Sequence, residues 1–322
     1  MKNTNGRPNV IIPGSAKCGT TSLYHYLIGH PEIYIPKQYK ELGYYVPDAM
    51  GPVRTEHDYR ELYTGPATYQ KKALIDISTA YLYPKDVPLK VCRDLGRDIK
   101  VVVFLREPAG MAFSLWKQMI RTGRETLRFS EAIQAESRRM SDPEFGLNIR
   151  GWPCNYFYRA RAEYFEQVKR YIDVFGNDRV RVFVYETFFS ALMPQWKELL
   201  RFLDVDANYR PNEFGDHNPG GATKYEWFRR LIEGQSVGKQ VLKRFIPAGK
   251  KVALLHWLYK LNTKEYRPTS DDLDAIRNLQ GQLAGDIQKL SELIGQDLIH
   301  MWGYSEASAE RKEGRHATPT FR

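Results

Sequence analysis

The stretch PGSAKCGTTSL, Pro13–Leu23, decides the reading of this chain, and it follows directly on the short apolar run NVII at 9–12. A β-branched run that breaks into glycines and then into a hydroxyl-rich segment is the layout of a strand, an anion-binding loop and a helix N-terminus. Gly14 and Gly19 have the spacing of the nucleotide phosphate loop G-x-x-x-x-G-K-[ST]. Thr20 stands where that loop requires lysine, and Lys17 lies inside the loop instead. A loop for Mg·ATP needs its lysine on the β/γ-phosphates and its next hydroxyl on magnesium. That arrangement does not fit here, and VVVFLRE at 101–107 ends in Arg106 and Glu107 where a metal-binding aspartate would be expected.

Outward from the loop, four segments read as strands from their shortness and β-branched content: NVIIPG near Val10, KALIDIS near Ile75, IKVVVFLRE from Ile99 and RVRVFVYE from Arg179. The third is continuously apolar, as expected of a strand covered on both faces of a parallel sheet. Helical segments alternate with them. TTSLYHYLIGH follows the first, PAGMAFSLWKQMIR opens on Pro108 after the third, and NYFYRARAEYFEQVKRYIDVFG leads to the fourth and ends at Gly176. This alternation predicts an α/β fold, a parallel sheet flanked by helices. The later chain reads as a helical C-terminal part, with TSDDLDAIRNLQGQLAGDIQKLSELIG as a serine-capped helix. The expected organisation is one domain over 1–305 and a flexible tail over 306–322.

Composition narrows the function. The chain has 322 residues, 42% hydrophobic, enough for a sizeable core. Forty-eight Lys and Arg against 38 Asp and Glu leave a net charge of +10, which favours an anionic ligand. The basic residues are dispersed, with modest clusters such as GRHATPTFR and KRFIPAGKK, and no aromatic–basic interleaving marks a nucleic-acid groove. Cys18, Cys92 and Cys154 are too few and too scattered for a disulfide framework or a zinc site. With no run of about twenty apolar residues and no signal peptide, the expectation is a cytoplasmic protein without a membrane span.

The loop and the third strand together resemble the sulfotransferase family, which uses 3′-phosphoadenosine 5′-phosphosulfate (PAPS). Its first signature ends in K-x-G-T-T-S/x-L, matched by KCGTTSL at Lys17–Leu23, and its second is R-x-P-x-x-x-x-x-S, matched by REPAGMAFS at Arg106–Ser114. The likeness continues through GNDRVRVFVYETFFS, LLRFLDV and DLIHMWGY, so it covers most of the chain, and its pattern is nearest the glycan and bacterial branch. The resemblance implies that Lys17, Cys18, Gly19, Thr20, Thr21 and Ser22 hold the 5′-phosphosulfate, with Lys17 at the bridging oxygen. It implies that Arg106 and Ser114 grip the 3′-phosphate, which remains on the product adenosine 3′,5′-bisphosphate, and that no metal is needed.

For the base, the resemblance points to Glu41 in YKELGYYV, with His57 and His217 as competitors, while His25 and His30 read as helix-surface residues. IDISTAYLYP resembles the family's acceptor-side E-K-S-x-x-Y-F through Asp76, Ser78 and Tyr81, but Ile77 occupies its lysine position. Tyr164 matches a recurring family tyrosine, in the core or stacked on a ring, and NPGGATK, ending at Lys224, is a weak match for the adenine-side loop. The acceptor, a small molecule or a glycan, and the oligomeric state are not readable from the residues. A kinase using Mg·ATP and a non-catalytic polyanion-binding protein are the alternatives.

Overall fold

The structure is a computed structural model that describes residues 6–46, 51–149, 151–211, 222–223, 263–264 and 266–304. His217, Lys224 and the 306–322 tail lie outside the described residues.

Five strands form one parallel sheet: β1 (Val10–Gly14), β2 (Ile33–Tyr34), β3 (Ala73–Ile77), β4 (Lys100–Leu105) and β5 (Val180–Val184), in the order β2-β3-β1-β4-β5. Strands β1 and β3 are buried at every position, and β4 at all but its first, so these runs are apolar rather than alternating. Phe104 of β4 stacks on Phe183 of β5 with ring centroids 5.3 Å apart, which fixes that half of the core. β2, only two residues long, carries too little pattern to be legible in advance. Ala222–Thr223 (β6) and Thr263–Lys264 (β7) pair antiparallel.

The helices are α1 (Thr20–Leu27), α2 (Glu56–Glu61), α3 (Val87–Leu95), α4 (Pro108–Arg121), α5 (Phe129–Ser141), α6 (Tyr158–Ala162), α7 (Tyr164–Phe175), α8 (Tyr185–Ser190), α9 (Leu192–Phe202), α10 (Ser270–Ile294) and α11 (Leu298–Met301). Among the described residues no helix is long and apolar enough to cross a membrane. The chain leaves β1 for the β3 side and later returns to the β4 side, so the strand order reverses at β1. In such sheets ligands sit outside the carboxyl ends of the strands at that reversal. Here those ends deliver Gly14, Ile77, Leu105 and Val184 to one edge.

Two helix expectations change. The segment 155–176 is not one helix. It is a short turn at Pro153–Tyr156, then α6, then α7, separated at Glu163. The cause lies in two carboxylates elsewhere in the fold. Glu136 accepts from the amides of Arg159 and Ala160 at 2.8 and 2.9 Å, and Asp286 accepts from those of Tyr164 and Phe165 at 2.8 and 3.1 Å. Each acid satisfies the orphan donors of a separate helix start. The cap of α10 is Thr269, whose hydroxyl accepts from the Asp272 amide while Asp272 answers to the Thr269 amide; Ser270 is already helical. The strand read as RVRVFVYE ends at Val184, and YETFFS turns into α8. Glu186 there accepts from the Glu107 amide at 3.1 Å and from Trp302 Nε1 at 3.0 Å.

Beside α4, Glu125 and Arg139 form a buried two-pronged pair at 2.7 and 3.0 Å, and the Tyr158 hydroxyl donates to the same carboxylate at 3.0 Å. Removing one partner of such a pair strands the other charge. Glu125→Gln is expected to cost about 3 kcal/mol, read as a lower midpoint in chemical denaturation at unchanged m-value.

Candidate active site

The loop between β1 and α1 is held open by packing rather than by side-chain caps. Gly19 sits at φ +77° as the N-cap of α1 and supplies no side-chain acceptor to the helix. A Cβ there would stand 2.6 Å from the Phe189 ring, so both conformation and space require glycine. The amides that open α1, at Thr20, Thr21 and Ser22, have no intrahelical acceptor. Amides so placed at a helix opening are suited to an anion. Cys18 is wholly buried, its thiol donating to the Ala16 carbonyl at 3.4 Å, and burial pushes that thiol up to about 12. Tyr164 lies buried beneath the loop beside Ser15 and Cys18, in the core rather than on an open face.

Lys17 takes the left-handed conformation at φ +65° and donates to Gln118 Oε1 at 2.9 Å. Its ammonium is pushed down to about 8, first by burial and then by the charges of Arg121, Arg106, Lys40 and Lys117. Five cations therefore converge on one loop. Lys40 reaches it by donating to Thr21 Oγ1 at 2.7 Å. Lys117 and Arg121 come from α4, on the face that also carries Ser114 and Gln118. These positions, i, i+3, i+4 and i+7, form one stripe.

Arg106, at the end of β4, lies with its guanidinium 4.9 Å from the Tyr185 ring centroid. It is not paired with its neighbour, because Glu107 is occupied. That carboxylate accepts from the amides of Ala109 and Gly110 at 3.1 and 2.5 Å and from the Tyr304 hydroxyl at 2.7 Å. Ser114 is half-buried two turns into α4.

On the other side of the loop, Glu41 accepts from the Thr79 hydroxyl at 2.9 Å and lies 3.5 Å from the Lys40 ammonium. Its segment is tied to the sheet by Ser78, whose Oγ accepts from the Leu42 and Gly43 amides at 3.0 and 3.2 Å and donates to Asp76 at 2.6 Å. Asp76 also accepts from the hydroxyls of Tyr59 and Tyr81 at 2.8 and 3.1 Å. Burial pushes its carboxyl up to about 6, and the three hydroxyl donors oppose the shift. Asp76, Ser78 and Tyr81 are thus buried supports behind the site. His57 is exposed on α2 and His25 on α1, whereas His30 is buried, contrary to expectation, with its ring bonded to the Asp206 carbonyl and the Glu32 amide, both at 3.1 Å.

The sequence reading had not selected Lys40, Lys117, Gln118 or Arg121. The polar stripe on α4 was the available signal, since Ser114, Lys117, Gln118 and Arg121 interrupt an otherwise apolar helix at helical spacing. Lys40 had no such signal, because its contact with Thr21 depends on the path of a loop.

No family model matches the sequence. The mouse bifunctional heparan sulfate N-deacetylase/N-sulfotransferase 4 is 22% identical over 248 residues, and the human N-deacetylase/N-sulfotransferase 3 is 24% identical over 256. Each match takes in 74% of this chain but 27% of the relative, so the chain spans little more than a quarter of their length. The crystal structure of a sulfotransferase from Alicyclobacillus acidocaldarius superposes with a TM-score of 0.66 at 27% identity, covering 92% of this chain and 98% of that one. An α/β fold, with a parallel sheet and the Gly14–Gly19 loop at its strand-order reversal, is what this superposition supports. In sequence and in fold the chain is similar to sulfotransferases, a family whose sulfuryl donor is PAPS.

The sign of the Lys17 shift gives a stability prediction. A lysine whose pKa falls on folding is a cation that the empty fold disfavours at neutral pH. Lys17→Met is expected to raise the melting temperature of the ligand-free protein by about 2 °C or more, although it removes a site residue. Differential scanning fluorimetry at pH 7 reads this, and a lower melting temperature would count against the repulsion.

Proposed function

We propose that the chain transfers a sulfuryl group from PAPS to an acceptor hydroxyl, with an amine as the second choice. The observation that carries the reading is the set of five cations around the Lys17 loop at the opening of α1. A small, doubly anionic nucleotide is the ligand such a cradle suits. The amides and hydroxyls of Thr20, Thr21 and Ser22 would hold the 5′-side oxygens, with the Cys18 and Gly19 backbone completing the curve. Arg106, backed by Tyr185, and Ser114 would hold the 3′-phosphate, where a planar fork suits an oxyanion. PAPS supplies an activated sulfuryl group. Lys17 stands where charge grows on the leaving oxygen, and a cation there helps the transition state more than the ground state.

Glu41 is the proposed base. It has an acceptor-capable carboxylate, half open, fixed by Thr79 and by the Ser78 anchorage of its segment. A glycan, a lipid or a secondary metabolite could carry the hydroxyl. The relatives named for heparan sulfate N-sulfation support a glycan and keep the amine in view. Three free cysteines fit a reducing compartment, and hence the cytoplasm.

The deciding experiment is calorimetric titration with adenosine 3′,5′-bisphosphate, with ATP plus magnesium alongside. The bisphosphate is expected to bind without metal and at least tenfold more tightly than Mg·ATP. Preference for Mg·ATP supports the kinase. Weak, steeply salt-dependent binding of every polyanion supports a non-catalytic binder.

The Lys17 shift also sets a pH dependence. In the free protein Lys17 is cationic below about 8 and loses its charge above it. Bisphosphate affinity is therefore expected to fall as pH rises from 7 to 9, by less in Lys17→Met, where nothing titrates at that position. Parallel pH profiles in the two proteins would remove Lys17 from the donor site.

A further inference from the structure

Arg161 of α6 is a buried cation that the donor site does not use. It is 3% exposed, and its only hydrogen bond among the described residues runs from Nη1 to Asn155 Oδ1 at 2.8 Å. The guanidinium lies 5.1 Å from the Trp152 ring centroid. No carboxylate among the described residues stands within ion-pair distance, although a guanidinium that cannot shed its proton needs a counter-ion when buried.

Its surroundings connect it to the transfer site. Glu41 is bonded to Thr79, on the same 78–83 segment that ends in Tyr83, and Tyr83 packs edge-on against Trp152 at 6.3 Å. Glu41 is the one carboxylate among the charges that act on Arg161, and the other groups acting on it, Tyr83, Cys154 and Tyr164, mark the same wall. Because Glu41 spends its contacts on Thr79 and Lys40, the fork of Arg161 is left for something that enters beside it. At Ile77, where the acceptor-side stretch could have carried a lysine, the chain supplies no charge. On the Tyr83 side the cations are Arg161 and Arg170, the latter already donating to the Tyr83 carbonyl at 2.9 Å.

We propose that Arg161, seated on Trp152 and flanked by Tyr83, forms an acceptor subsite for a carboxylate, so that the natural acceptor carries an acidic group next to the group that is sulfated. This rests on the sulfotransferase reading, in which Glu41 faces the acceptor. A two-pronged guanidinium–carboxylate contact in a water-poor wall suits both the charge and the planarity of the site.

The test is binding in the presence of saturating adenosine 3′,5′-bisphosphate, with methyl β-D-glucuronide and methyl β-D-glucoside as a matched pair differing in the carboxylate. The native protein is expected to bind the glucuronide at least tenfold more tightly. Arg161→Lys, which keeps the charge and loses the fork, is expected to shrink that preference severalfold, and Arg161→Gln to abolish it, with bisphosphate affinity unchanged within twofold in both. Equal affinity for the two sugars, binding of neither, or a preference that survives Arg161→Gln overturns the subsite. If Arg161→Gln does not fold, the native comparison and Arg161→Lys still decide. Failure of the bisphosphate itself to bind would remove the donor reading instead, so the two failures are separable.

Discussion

Mutual repulsion among Lys17, Lys40, Arg106, Lys117 and Arg121 is the constraint on which the rest of the structure depends. Like charges at short range in a half-buried site oppose folding. They persist only if the surrounding structure over-determines their positions. Four of the five are tethered: Lys17 by Gln118, Lys40 by Thr21, Arg106 by the Tyr185 ring and Lys117 by the Phe113 ring at 5.1 Å. None of these four contacts is with an acid, although Glu41 lies 3.5 Å from the Lys40 ammonium. Cations whose positions are fixed before a ligand arrives are what electrostatic preorganisation requires.

The buried acids show the complementary rule. Glu107, Glu136 and Asp286 each accept backbone amides at helix starts, and Glu186 joins β4 to α11 through an amide and an indole. Burial raises the carboxyls of Glu107, Glu136 and Asp286, and the amide donors pull them back. Their carboxylates are bonded to helix termini. A strand end carrying Arg106 followed by Glu107 thus divides its labour, with the acid turned into α4 as a cap and the base left beside the anion site.

Much of this was legible because short-range chemistry dictated it. The apolar run at Ile99 reads as an interior strand, the β-branched run at Arg179 as a strand, which the fold places at the sheet edge, and Gly19 before two threonines as a helix start. Lys17, Arg106 and Ser114 could be picked out because KCGTTSL and REPAGMAFS resemble the two sulfotransferase signatures. The break at Glu163 was not legible, because its cause lies 122 residues away in sequence, at Asp286. The burial of His30 likewise depends on the Asp206 carbonyl, 176 residues on. Lys40 and Arg161 belong to the same class. Their surroundings are set by tertiary contacts that no local period encodes.

The route from sheet to Glu41 explains why the IDISTAYLYP segment is polar at positions that never meet solvent. Asp76 ends β3 inside the core, where an isolated carboxylate would be costly. Tyr59, Tyr81 and Ser78 give it three hydroxyl donors, and Ser78 then offers its remaining lone pairs to the Leu42 and Gly43 amides. A serine bonded only to a carbonyl would be free to rotate. One that must donate to Asp76 has its lone pairs aimed, and so it fixes the backbone immediately after Glu41. The buried polar cost of the segment is thus converted into the orientation of Lys40 and Glu41. Lys40 then bonds Thr21 at the start of α1, and Glu41 bonds Thr79 after β3. One segment thus joins the opening of α1 to the stretch after β3, so a shift of either must be felt by the other.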